Sequence, residues 1–174
     1  DTLEVLKKDP GSVRDDIRGI TLERAKTIQE LIVENESIEN IMIQLEAMIG
    51  GLGLRKSLPV EIANKWGTDA VPMIEENPYV LCRLENVGFL TADKIAMERL
   101  HIAKDSPHRK LAGIKHVLRE NETSGSVWID VGSLDRTVQA LLACEATDAI
   151  DKAIEDGEIV LLDNLVANPK ASED

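Results

Sequence analysis

Aromatic side chains are nearly absent: Trp66, Tyr79, Phe89 and Trp128 are the whole set in 174 residues, while 43% of the chain is hydrophobic. The core must therefore be built from Ile, Leu, Val, Ala and Met, a composition that favours helices packed on helices. Cysteine is almost as scarce. Cys82 and Cys144 match no metal-ligand or redox spacing, which leaves no disulfide framework and makes both read as small core residues of a reducing compartment. Long apolar runs are missing too. The longest stretches without a charge, Ala47–Leu54 and Thr137–Cys144, have eight residues each, against the roughly 18 that a membrane span needs. A soluble protein with no membrane contact is expected, as one compact domain or two small ones. No signal peptide opens the sequence, and it begins at Asp1 inside an apparent helix, so a piece of a longer, cytoplasmic polypeptide is expected.

Positive charge is in short supply overall, with 20 Lys and Arg against 32 Asp and Glu and a net charge of −12. Such a balance disfavours a polyanionic partner globally. The deficit is uneven, however. Residues 83–119 carry eight basic and four acidic side chains, whereas residues 120–174 carry three and 13. His101, His108 and His116 also fall in the basic stretch, so any contact with nucleic acid belongs there.

Apolar periodicity predicts a series of short helices. Leu22, Ala25, Ile28, Leu31 and Ile32 form one stripe; Ile38, Ile41, Met42, Leu45 and Met48 form a second, with Ser37 as its N-cap. Pro59 and Gly67 bracket another helix, Thr68 caps one running to Glu76, and Asn77-Pro78 starts a further turn. After Gly88, Thr91 caps a helix carrying Ala92, Ile95, Ala96 and Leu100. Ser106-Pro107 opens a helix to about Glu120, and a domain boundary is expected near Ala103–Ser106. Beyond Gly125 the pattern predicts a strand at Ser126–Asp130, helices at Ser133–Cys144 and Ala146–Asp156, and a strand at Glu158–Asp163 ending in a turn at Asp163-Asn164. That order is the order of a winged helix-turn-helix. Asn168–Asp174 reads as a polar tail.

Sites for chemistry are hard to find. Gly50 to Ser57 ends in Lys-Ser like a phosphate-binding loop, but Arg55 stands where glycine must precede the lysine and no strand leads into it. No other segment carries the loop. The histidines have no Cys, Asp or Glu at ligand spacing on a shared face and no nucleophile nearby. Scattered carboxylates give no acid/base pair, so no catalytic residue, metal or cofactor is expected in this chain.

What the sequence does contain is a recurrence. Arg18 to Ile28 and Asn86 to Ala96 share a glycine, a hydrophobic residue, a threonine within three positions, and then a helix with Ala and Ile inward; Gly53-Leu54 followed by Leu58 to Ala63 is a looser copy. Each predicts two helices joined by a tight turn, with the second helix's N–H groups and dipole turned toward an anion. Expected contacts to phosphate groups are Gly19, Ile20, Thr21, Gly53, Leu54, Gly88, Phe89, Leu90, Thr91 and Lys94. On the helix from Pro107, Leu111, Ile114, Val117 and Leu118 project to one side, while His108, Arg109, Lys115, His116 and Arg119 project to the other and complete the expected surface.

The runs Glu75 to Leu81, Val87 to Ala96, Asp105 to Arg109 and Ala112 to Leu118 resemble the N-terminal region of RecD-like superfamily 1 DNA helicases, in particular the stand-alone bacterial branch that works without RecB and RecC. Asp1–Leu6, Ile17–Ile28 and Ala63 to Gly67 fall where that family has tandem helix-hairpin-helix repeats. The resemblance implies a mainly α fold with tandem helix-hairpin-helix units over 1–104, a small winged-helix-like α+β unit over 105–167 and a tail over 168–174. It also implies a parent in DNA repair or recombination: an ATP-dependent 5′-3′ helicase whose RecA-like motor, with its ATP and magnesium, lies outside this chain. DNA, single-stranded or forked, and the motor domains are the implied partners. The competing expectation is a protein-interaction module that docks on the motor or a partner protein without DNA contact, which the acidity of residues 120–174 favours for that part of the chain.

Overall fold

A computed structural model describes residues 8–9 and 21–169. Gly19, Ile20, the segment Asp1–Leu6 and the tail beyond Pro169 lie outside the described residues, and so do the expectations attached to them. The chain is mainly helical, with a small antiparallel sheet near its C-terminus, and separates into two compact units, Asp1–Val71 and Pro72–Asp174. No helix of the described residues is long and apolar enough to cross a membrane.

In the first unit a single helix, α1 (Leu22–Ile49), replaces the two expected. Thr21 caps it, accepting a hydrogen bond from the Arg24 backbone N–H at 3.3 Å. Ser37 does not start a second helix; its hydroxyl donates back to the Val33 carbonyl at 2.9 Å, a bond compatible with continuous helix. With no glycine or proline between Leu22 and Ile49, nothing ends the helix before Gly50. There a Cβ would fall 2.3 Å from the Glu46 carbonyl oxygen, which only glycine avoids. Gly53, at φ +69, turns the chain toward α2 (Leu58–Trp66). Ile41, Leu45 and Ile49 of α1 are buried, as are Leu58 and Ile62 of α2, and the two helices pack on each other. The bracketing of α2 by Pro59 and Gly67 (φ +54) is as expected. A 3₁₀ turn (Gly67–Asp69) and α3 (Ala70–Glu76) follow.

The second unit begins with a 3₁₀ helix (Pro78–Arg83) that Asn77 caps through a bond from the Tyr79 N–H at 3.1 Å. It packs against α4 (Phe89–Glu98). Gly88, not Thr91, is the N-cap of α4, and the Thr91 and Ala92 N–H groups both donate to its carbonyl. Its φ is −87°, and Asn86, at φ 60, makes the left-handed turn before it. Then come α5 (Pro107–Thr123), β1 (Ile129–Asp130), α6 (Val131–Leu142), α7 (Thr147–Glu155), β2 (Val160–Leu162) and β3 (Leu165–Ala167). β3 lies between its neighbours, with Ile129 opposite Val166 and Leu161 opposite Val166. Strand β1 ends at Asp130 as expected, where Asp130 caps α6 by accepting from the Ser133 N–H at 3.0 Å, but it begins at Ile129 rather than Ser126; the Trp128 carbonyl accepts from the Asn121 side chain instead.

The two units divide after Val71, well before the boundary expected near Ala103–Ser106. Contacts across residues 99–106 explain the difference. The Arg109 guanidinium on α5 grips the Asp93 carboxylate on α4, and the His116 ring on α5 stacks on Phe89 of α4 at 5.3 Å. Gly113 lets α5 approach α6 so closely that a Cβ there would lie 3.0 Å from a Leu142 methyl.

Candidate nucleic-acid interface

Helix α5 organises the second unit. Ile114, Val117 and Leu118 are buried as expected, while Leu111 is half-buried. The opposite stripe proves to be divided. Arg109 is not on an open DNA-facing surface: only 6% of it is exposed, and every part of its planar fork is engaged. Its Nε and Nη2 donate to the two Asp93 oxygens at 2.8 and 3.0 Å, and its Nη1 donates to the Lys104 and Leu142 carbonyls at 2.9 Å. The bidentate bond to Asp93 raises the guanidinium's pKa further. Tyr79 joins from the other side, its hydroxyl donating to Asp93 at 2.7 Å; burial and then the neighbouring carboxylate push that phenol well above its ordinary range. Projection along a helix placed Arg109 outward because it carries no information about a carboxylate 16 residues away.

The remainder of the stripe does come together. His108, Lys115, His116 and Arg119 line one groove of about 360 Å³ with Arg83, Tyr79 and Phe89. Among the described residues that line it, Glu158 is the sole carboxylate, and it accepts a hydrogen bond from the Lys115 ammonium. The rings of Tyr79, Phe89 and His116 form a near-parallel series along the wall, at 5.8 and 5.3 Å with interplanar angles of 11° and 19°. Cys82 also borders the groove; burial raises its thiol pKa, offset in part by Arg119. Neither cysteine is a fully buried core residue, and Cys144 donates its thiol to the Lys104 carbonyl at 3.4 Å.

Other expected contacts lie elsewhere. Gly88, Leu90, Thr91 and Lys94 belong to α4 and its cap but do not line the groove; Phe89 is buried as an anchor, whereas Leu90 is 65% exposed. Gly53 is exposed and Leu54 half-buried in the first unit, and Thr21 uses its hydroxyl as a cap. Sequence reasoning missed Arg83, Tyr79 and Glu158. The Asn-Pro-Tyr turn marks the first two, since it ends in the net-positive segment, but Glu158 sits in the acidic part of the chain and gave no signal.

The Gly50–Ser57 loop does not fit a nucleotide phosphate. Arg55 and Ser57 both bond to Glu61, Arg55 at 2.6 Å and Ser57 at 2.8 Å, and a helix rather than a strand leads into it. Among the described residues no group of three or more His, Cys, Asp or Glu can hold a metal ion.

Residues 34–128 match the family described as the ATP-dependent RecD2 DNA helicase HHH domain. Over 116 residues the chain is 30% identical to the ATP-dependent RecD2 DNA helicase of Deinococcus radiodurans, a match that covers 67% of this chain and 15% of that protein. The matched stretch runs from within α1 to the residue before β1, through the α1–α2 turn, the Gly88 turn and α5, and the chain belongs to the RecD2 helicase HHH domain family.

Proposed function

We propose that this chain is the non-catalytic, DNA-binding part of an ATP-dependent 5′-3′ DNA helicase, and that it grips the backbone of single-stranded or forked DNA without reading sequence. The observation that carries the reading is the groove of the second unit, where Arg83, His108, Lys115, His116 and Arg119 converge in a chain whose net charge is −12. A concave cluster of cations focuses a local potential that the global charge conceals. Its side chains are suited to phosphates rather than to base edges. Backbone amides at the Gly53 and Gly88 turns add donors; no heavy atom outside each turn comes within 4 Å of where a Cβ would stand, so a phosphate has room to approach. ATP and magnesium belong, in this reading, to motor domains elsewhere in a cytoplasmic parent that serves repair or recombination.

The helix, strand, helix, helix, strand, strand order of residues 107–167 supports calling that part a winged helix. Its α7, which would be the reading helix, carries Asp148, Asp151 and Glu155 against Lys152, and Leu161, Leu162 and Leu165 are exposed on the β2–β3 hairpin. Those features favour a second reading for this part alone: docking on the motor or another protein, with DNA held on α5.

Replacing Lys115 and Arg119 together by Gln is the direct test. Each phosphate that a cation no longer neutralises lowers the log–log salt slope by roughly 0.7–0.9, so a drop of about one unit or more is expected, equally for unrelated unstructured oligonucleotides. Helical circular dichroism stays unchanged. An unaltered slope assigns this groove to another ligand.

A further inference from the structure

Helix α1 carries one apolar row of which the unit uses only the C-terminal end. Ile28, Leu31, Asn35 and Ile38 follow one another at spacings of three and four residues, and Met42, Leu45 and Ile49 continue the same period. This is the heptad spacing that keeps a row facing a second helix. Leu45 and Ile49 are buried, on a helix packed against α2. Upstream, Ile28 is 37%, Leu31 53% and Ile38 45% exposed. At 1.5 Å per residue the open part of the row runs for about 15 Å. Val33 and Ile43 are also exposed but stand off the row.

The residues beside the row indicate what covers it. Glu34 and Glu39 flank it on opposite sides. In a parallel pair of identical helices Glu34 of one copy meets Glu39 of the other; in an antiparallel pair Glu34 or Glu39 meets its own counterpart only in a register centred on that residue. The parallel arrangement thus sets like charges across the seam, which disfavours a parallel second copy. A helix flanked by Lys or Arg makes attractive pairs at the same places. Asn35 adds register: a single polar residue in such a row lowers affinity but selects a partner with a polar group opposite.

We propose that the Ile28–Ile38 stretch of α1 docks an amphipathic helix of a partner protein, one whose apolar row is flanked by Lys or Arg and carries an amide opposite Asn35. The surface involves no groove residue, so it stands or falls independently of DNA binding.

The test uses the full 174-residue chain and a labelled four-heptad peptide with Ile and Leu in its row, one Asn, and Lys on both flanks, whose own lysines oppose self-pairing. A second peptide has Glu on the flanks. Fluorescence anisotropy is expected to show at least tenfold tighter binding of the Lys peptide. Leu31→Glu combined with Ile38→Glu is expected to weaken it at least tenfold with helical circular dichroism intact, since both side chains are exposed. A peptide drawn merely by net charge binds that double variant, with its two added carboxylates, at least as well, and this result overturns the proposal. Equal binding of the two peptides overturns it too. So does concentration-dependent dimerisation of the chain, in sedimentation, that the double variant abolishes, because the occupant is then a second copy.

Discussion

Arg109 and Lys110 precede Lys115 and Arg119 on the same helix, yet the two pairs have opposite surroundings. Arg109 and Lys110 are 6% and 8% exposed, held by Asp93 and Asp148. Lys115 is half-buried and Arg119 exposed, and both border an open groove. A helix can thus carry one set of cations that fixes α4 and α7 in place and another that remains available to a ligand. The excess of eight basic over four acidic residues in 83–119 counts both sets alike, so local net charge overstates what DNA meets.

The sharpest way to break the comparison is to remove a member of the first pair. Arg109→Met leaves the Lys104 and Leu142 carbonyls without this donor and Asp93 without its cation. Breaking one side of a buried pair costs about 3–5 kcal/mol, and urea unfolding should register a loss of that size. Arg109→Lys should recover little of it, because an ammonium does not reproduce the bidentate fork. Lys115→Gln or Arg119→Gln, by contrast, should stay within about 0.5 kcal/mol of the parent chain. A small cost at Arg109 would make the two pairs equivalent.

A smaller effect is expected at Glu158. Its carboxylate pairs with Lys115 at the groove, with both side chains about two-fifths exposed, and competes there with any phosphate. Glu158→Gln should raise DNA affinity roughly two- to fivefold at low salt, in keeping with about 0.5–1 kcal/mol for a partly exposed pair, and the gain should vanish at high salt. Unchanged affinity would remove Lys115 from the DNA path.

Much of this was legible beforehand where the cause is local. Pro59 and Gly67 around α2, Ser106-Pro107 at the start of α5, and the β2–β3 turn at Asp163-Asn164 all depend on residues within a few positions of one another. Ser37 misled because a serine that caps and a serine that bonds back within a helix look the same without knowing what precedes it. Thr91 misled in another way: Gly88, three residues earlier, is the cap of α4, after a left-handed turn at Asn86. His108, Lys115, His116 and Arg119, which the helical projection set on one face, line the groove together. Arg83 and Glu158 enter from other elements, and the fate of Arg109 was decided by Asp93, a pairing that no period along the chain encodes.

The smallest effect separates Lys110 from Arg109 within the enclosed pair. Lys110 buries its stem, but its ammonium emerges to bond Asp148, which is 74% exposed, at 2.9 Å. That bond lowers the Asp148 pKa and raises that of Lys110. A carboxyl more acidic in the folded than in the unfolded chain adds stability above its unfolded pKa and loses it as pH falls through the folded value. A lysine with a raised pKa adds stability below its unfolded value and loses it as pH rises through the folded one. The pair's contribution should therefore be level between about pH 4 and pH 10 and fade beyond either end. Many other carboxylates titrate in acid, so the measurement is a difference: the urea midpoint of the parent chain minus that of Asp148→Asn, at pH 7 and at pH 2.5. This difference should be small and positive at pH 7, because an exposed pair is screened by solvent, should shrink in 1 M salt, and should fall at pH 2.5, below the unfolded pKa of the carboxyl. If it persists unchanged in acid, Asp148 acts through its place in the first turn of α7 or through its packing, and the ion pair contributes nothing of its own.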